Sequence, residues 1–247
     1  VALVEKEKLG GTALRWGALP VKKALDFFKN KDKENIITTW DKDLKILEEK
    51  IEKGIIKEGI DIYYGEGEFI DSKSFKIDHI LLEGEYIIIA TGTKASSFEG
   101  IPIDRNKIIT HREAIDLKSI PENILILGGN VEGVEFAAAY GEMKKNVTII
   151  EKEDVLLFGN DADLVSPIEK HLIEKGVKIL KGIGVEKAWV ENNKVKVKLE
   201  NEEIIEGDKA LVTFLRKPSF PKGIERLNIN IDEDRIVVDK NLKTGED

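Results

Sequence analysis

The chain of 247 residues contains no cysteine. That single absence excludes every disulfide, every thiolate nucleophile and every cysteine-ligated metal site. It fits a cytoplasmic protein, although a chain without thiols is compatible with any compartment. Histidine is almost as scarce: His79, His111 and His171 are scattered, with no partner at metal-ligand spacing, so no metal site is expected. No apolar run approaches the roughly 20 residues that cross a bilayer, so no membrane span is expected. Positive charge is not concentrated either. Forty-seven acidic residues against 39 basic give a formal charge of −8, which disfavours a nucleic-acid partner. Lys and Glu are interspersed and read mostly as solvated faces. The start, Val1-Ala2-Leu3-Val4-Glu5, has no initiator Met, and no signal peptide is expected. It opens in an apolar strand, so the chain is read as a piece of a longer protein.

What is present is a chain long enough for two domains of ordinary size. Residues 1–5 read as a parallel strand closed by Gly10-Gly11, and Pro20 suits the first turn of a helix running through Phe27-Phe28. A charged helix is expected near 41–54, with Leu44, Leu47 and Ile51 at helical spacing. Short strands are expected at 60–64, 67–70 and 74–77. A buried strand over 85–90 follows, ending in Thr91-Gly92, then a connector over 93–104.

The rhythm then changes. Apolar strands at 124–127, 147–151 and 177–179 alternate with helices from 130 to 143 and from 161 to 175, the order of a doubly wound parallel unit. Alternation from 183 to 205, broken at Asn192-Asn193, predicts an antiparallel meander. Further strands are expected at 210–214 and 236–238.

The first strand of that unit runs into Gly128-Gly129-Asn130-Val131-Glu132-Gly133-Val134-Glu135. In the dinucleotide fingerprint G-x-G-x-x-G, the first Gly permits a tight turn, the second lets the pyrophosphate approach the backbone, and the third lets helix pack on strand. The helix N-terminus then offers free N–H groups and partial positive charge to the phosphates. Gly128 and Gly133 match. Asn130 replaces the second Gly; it tolerates a left-handed backbone better than most residues, but its side chain takes space the pyrophosphate needs. Glu151, 23 residues after Gly128, ends the next strand. An acidic side chain there accepts from the ribose hydroxyls and repels a 2′-phosphate, favouring NAD over NADP, while Lys152 softens that discrimination. A plain doubly wound domain that uses its glycines for packing is the competing reading.

Leu9-Gly10-Gly11-Thr12-Ala13-Leu14-Arg15-Trp16-Gly17-Ala18-Leu19-Pro20-Val21-Lys22 resembles the redox-active segment of the pyridine nucleotide-disulfide oxidoreductases, in particular the dihydrolipoamide dehydrogenases. The family pattern there is Gly-Gly-Thr-Cys-Leu-x-x-Gly-Cys-x-Pro-x-Lys. Ala13 and Ala18 stand at the two sulfur positions, so the chain cannot carry out dithiol exchange by itself. Further likenesses follow in family order: Gly65-Glu66-Gly67, Ala90-Thr91-Gly92, Thr110-His111-Arg112-Glu113-Ala114-Ile115, and Leu215-Arg216-Lys217-Pro218, with Leu215 where the family has Gly.

The resemblance implies two Rossmann-like doubly wound domains, an incomplete FAD-type and an NAD-type, with an antiparallel meander. By that likeness, residues 1–110 form the FAD domain without its first βα unit, 111–222 the NAD domain, and 223–247 a truncated return to the FAD domain. It assigns Glu5, Gly11, Thr12, Lys22, Gly67, Ala90, Thr91, Gly92 and Arg216 to FAD. It assigns Gly128, Gly129, Asn130, Val131, Glu132, Gly133, Glu135, Glu151, Val185 and Leu215 to NAD. Lys22 and Glu135 fall on the family's ion pair beside the flavin edge, where they act as the catalytic pair.

The implied activity is an FAD- and NAD-dependent oxidoreductase passing hydride from NADH to flavin without an internal disulfide relay. Its electron acceptor is unassigned, and any homodimer forms through a region outside this chain. Two alternatives stay open: a catalytically silent nucleotide-binding or structural relative, and a cysteine-to-alanine form of an ordinary dihydrolipoamide dehydrogenase.

Overall fold

In a computed structural model, residues 1–17, 19–23, 36–115 and 120–245 are described, the first six of the third stretch by their backbone alone. The chain falls into two compact units. One comprises Val1–Gly10, Lys45–Lys94 and Lys217–Asp247; the other comprises Gly11–Leu44 and Ala95–Arg216.

In the first unit, β1 (Ala2–Glu5) lies parallel to β2 (Asp61–Tyr64). Helix α1 (Gly11–Arg15) belongs to the second unit, and α2 (Ile36–Lys57) runs through the boundary. Along α2, residues 44, 47, 48, 51, 52 and 55 are half-buried, the 3.6-residue stripe of an amphipathic helix and longer than the sequence reading allowed. Strands β3 (Gly67–Phe69), β4 (Ser74–Ile77) and β5 (Ile80–Glu83) form an antiparallel meander. Phe69 and Ile77 are buried in it, and the Phe69 and Phe75 rings meet edge-to-face at 4.9 Å.

One expectation fails in this unit. Residues 85–90 are not a strand but an irregular segment that opens in a bend, with no ladder among the described residues. Tyr86 is 83% and Ile88 89% exposed. Apolar β-formers make a strand only where neighbouring backbone pairs with them, and here nothing described does. The connector expected after them holds a short strand, β6 (Thr93–Ser96).

The second unit is built on five parallel strands in the order β10-β9-β8-β14-β7. They are β7 (Ile108–Ile109), β8 (Asn123–Leu127), β9 (Asn146–Ile150), β10 (Lys178–Leu180) and β14 (Lys209–Val212). The continuous apolar runs follow from burial on both faces. Along β8, Ile124 and Ile126 pack on one side with Phe136, Ala137 and Tyr140 of α4 (Val131–Glu142) and Leu172 of α5 (Ala162–Glu174). Leu125 and Leu127 pack on the other with Val195, Val197 and Leu199.

Those last three belong to the meander β11 (Val185–Glu191), β12 (Lys194–Leu199) and β13 (Ile204–Gly207). Its first turn is Asn192-Asn193, both at positive φ (50° and 65°), as a primed hairpin turn requires. On β12 the outward lysines each meet a carboxylate: Lys194 pairs with Asp208, Lys196 with Glu191, and Lys198 with Glu186 and Glu202. Helix α3 (His111–Ala114) is fixed by a capping box in which Thr110 and Glu113 satisfy each other's backbone ends. Tyr140 ties α4 to it by donating to the Ala114 carbonyl at 2.6 Å, and burial pushes the Tyr140 phenol pKa upward.

Candidate functional site

The turn between β8 and α4 is shaped by what its glycines leave out. Gly128 has φ +115°, and a Cβ there would sit 2.7 Å from Thr213 Oγ1 and 3.0 Å from the Phe214 amide nitrogen. A Cβ on Gly133 would strike the Gly128 carbonyl oxygen, and one on Gly129 would strike Leu156 and lie 3.1 Å from Glu151 Oε2. The first and third fingerprint glycines therefore serve the tight turn and the close helix–strand approach. Thr213 seals the turn from the neighbouring strand: its hydroxyl lies 3.0 Å from both the Leu127 and Gly128 carbonyl oxygens.

Position 130 differs from the expectation. Asn130 has φ −73° and ψ −177°, ordinary extended backbone, so no left-handed conformation is needed there. It is the N-cap of α4. Its Oδ1 accepts from the Gly133 amide at 3.0 Å and its Nδ2 donates to the Thr213 carbonyl at 2.6 Å. Asn is among the strongest N-caps because its side chain satisfies one orphaned amide of the first turn. Glu151 follows β9, and its two oxygens accept from the amides of Gly129 at 2.5 Å and Glu153 at 2.9 Å.

Helix α4 carries two more charged side chains. Glu132 lies 3.2 Å from Arg216 and 3.5 Å from the buried His111 ring, so its charge is matched at the helix start. Glu135, one turn along, is half-buried. Burial raises its carboxyl pKa, the Lys22 ammonium pulls it back down, and Glu132 pushes it up, with a net upward direction. Lys22 thus acts on Glu135 across 113 residues of sequence, within the second unit. Val21 beside it is 2% exposed and packs in the core with Ile109 and Phe136.

Residues 19–23 are helical, and Ala13 is exposed on α1. Ala18 and the expected continuation of the helix to Phe27-Phe28 lie outside the described residues. Trp16 follows α1, with the Arg112 guanidinium 5.1 Å from its ring centre.

Arg216 and Leu215 lie on β15 (Leu215–Pro218), and Val185 opens β11 opposite Leu199. In the first unit, Glu5 ends β1 and accepts from the Glu7 amide at 2.9 Å. Beyond it, Glu7, Lys8, Leu9, Glu48, Glu52 and Tyr64 line a cleft of about 350 Å³. Gly92 (φ +63°) there and Gly11 (φ +56°) in the second unit each face open space, so glycine serves the backbone conformation. Gly67 is bare for a nearer reason: a Cβ would lie 2.7 Å from the Lys76 carbonyl of its own hairpin. Thr12 accepts from the Trp16 amide at 2.9 Å, and Ala90 and Thr91 are exposed.

Sequence reasoning missed Thr213, Leu156, and the Glu132–Arg216–His111 cluster. Only the capping box had a local signal, Thr-x-x-Glu at 110–113. The others are brought together from separate elements and needed the topology. Among the described residues, no three His, Asp or Glu side chains are grouped to hold a metal ion. No described helix is long and apolar enough to cross a membrane.

The family model for pyridine nucleotide-disulphide oxidoreductases matches residues 1–247. The chain belongs to this family. Members of this oxidoreductase family use FAD and a nicotinamide nucleotide. The chain is similar to a dihydrolipoyl dehydrogenase of Acholeplasma laidlawii, 32% identical over 269 residues, covering 99% of this chain and 79% of that protein. It is 28% identical over 278 residues to a dihydrolipoamide dehydrogenase of Chaetomium thermophilum, covering 99% of this chain but 55% of the relative. Among solved structures it is similar to the Cu(II) complex of the HOCl-induced flavoprotein disulfide reductase RclA of Escherichia coli. The TM-score is 0.87 at 27% identity, over 100% of this chain and 58% of that one. The chain thus spans little more than half the length of several of its relatives. The family pattern has cysteine where this chain has Ala13 and Ala18.

Proposed function

We propose that the protein is an NADH-dependent flavin oxidoreductase whose electrons leave to an acceptor other than an internal disulfide. One observation carries this reading above the rest: a single helix, α4, bears the glycine turn at its start and, one turn on, Glu135 under the influence of Lys22. In this reading the second unit holds the nicotinamide nucleotide, with Gly128, Gly129, Asn130, Val131, Glu132 and Gly133 along the pyrophosphate and Glu151 at the adenosine ribose. Val185 and Leu215 border the same site. By the family likeness, Glu5, Gly67, Ala90, Thr91 and Gly92 of the first unit are FAD residues, and Gly11, Thr12, Lys22 and Arg216 of the second carry the same assignment. The nucleotide supplies a hydride and the flavin receives it.

The chain's own part is positional. The glycine turn brings backbone N–H groups to the phosphates, and Lys22, whose positive charge acts on the Glu135 carboxyl, polarises the flavin edge. Dithiol exchange is absent from the scheme because two cysteine thiols are needed and the chain has no cysteine. A quinone, a dye, oxygen or a partner protein then takes the electrons. A cytoplasmic location and a homodimer formed through a region outside this chain complete the reading.

A second reading, a catalytically silent nucleotide-binding relative, draws on Asn130 and Glu151, which already occupy two amides of the turn. Anaerobic addition of NADH to the full-length protein, followed by its flavin absorption, tests the first. Bleaching is expected, and an unchanged flavin spectrum would leave the silent reading in its place.

A further inference from the structure

Asn130 does two jobs at the start of α4. Its Oδ1 occupies the Gly133 amide at 3.0 Å, and its Nδ2 is anchored to the Thr213 carbonyl at 2.6 Å, so the side chain is held at both ends. A second amide of the turn, that of Gly129, is held by Glu151 at 2.5 Å. The backbone at Asn130 is relaxed, so the residue satisfies the local conformation as well as a glycine would. What it changes is the supply of donors. A helix start attracts an anion because its first amides lack partners and carry partial positive charge. A side chain that accepts from one of them removes a donor and fills the space beside it.

Taking the turn at 128–133 with Glu151 as the nucleotide site proposed above, we propose that Asn130 is a built-in competitor of the nucleotide's pyrophosphate. Its carboxamide oxygen takes the place of a phosphate oxygen at the Gly133 amide. A dinucleotide seats only after this side chain gives up its bonds to Gly133 and Thr213. The empty turn is thereby stabilised and the diphosphate-bridged ligand weakened, while the ribose contact at Glu151 is untouched. The chain therefore discriminates against the pyrophosphate and not against the adenosine.

The test is calorimetric titration of the full-length protein and of Asn130→Gly with three probes: NADH, ADP-ribose and adenosine. Loss of one charge-assisted hydrogen bond to phosphate is of the order of a tenfold change in affinity. Asn130→Gly is expected to bind NADH and ADP-ribose about tenfold more tightly, with adenosine changed less than about twofold on the same scale. Asn130→Ala, which keeps an ordinary backbone residue, should show the same ordering and guards against a folding defect in the glycine variant. Unchanged or weaker binding of NADH and ADP-ribose by both variants, with adenosine still bound, would overturn the competitor role and leave the loop assignment intact. No binding of any probe by any of the three proteins would overturn both together.

Discussion

Ile126 and Ile88 sit in closely similar local sequences, Ile-Leu-Ile-Leu and Ile-Ile-Ile-Ala, and end in opposite environments. Ile126 is fully buried in the centre of a five-stranded sheet, while Ile88 is 89% exposed. The difference lies in what flanks each run. Strand β8 has β9 on one side, β14 on the other, a helical layer on one face and a meander on the other. Residues 85–90 have no ladder on either side among the described residues. A strand is thus a property of a neighbourhood, and apolar content only nominates it.

Three substitutions sharpen that contrast, and each is read best by hydrogen exchange, which reports the units separately. The largest loss is expected from Gly133→Val. Its Cβ meets the Gly128 carbonyl, a backbone atom with no room to retreat. A cost of about 3 kcal/mol or more should open the second unit in mild urea while β3–β5 keep their protection. Equal loss in both units would mean that the boundary between them is not energetic. Next comes the matched pair. Ile126→Ala should cost about 2–5 kcal/mol and Ile88→Ala within about 0.5 kcal/mol. A substantial loss at Ile88 would show that residues 85–90 are covered in solution.

The smallest effect concerns acid. The Lys194 ammonium, with the Asn123 amide, holds the Asp208 carboxyl down to about 2 from its ordinary 3.8. A depressed carboxylate contributes stability that is complete above its unfolded value and is lost as pH falls through its folded one. The second unit should therefore weaken between about pH 4 and 2, and Asp208→Asn should flatten that limb in an acid titration of the melting temperature. A slope unaltered in the variant would assign the acid sensitivity elsewhere.

The second unit was largely legible in the sequence because its signals are long and mutually consistent. Apolar runs at 124–127 and 147–150 are bounded by glycine and by charge, and the helix between them starts at a strong capping residue. Strand β7, two residues long, left no signal to read. Asn130 was recognised as unusual, but the physical reason was misjudged: the capping tendency of Asn outweighs its tolerance of positive φ, as its own φ of −73° records. Thr213 escaped because its bonds cross 83 residues or more. In the first unit the short strands β2 to β4 were readable from their β-formers. Over 85–90 the same signal misled, since pairing is non-local and composition is not.

The lysines of β12 guard against an error that the core cannot detect. Slipping that strand by one residue would turn Val195, Val197 and Leu199 outward and be rejected at once. A slip of two residues keeps every apolar side chain inward, and beyond the Asn192-Asn193 turn it is the outer face that tells. There the native alignment sets three cations against four acids, with Trp189 directly across from Lys196. Individually such surface pairs contribute little, yet together they mark one alignment of the hairpin as the correct one, a ratchet written in charge on the solvent side of the sheet.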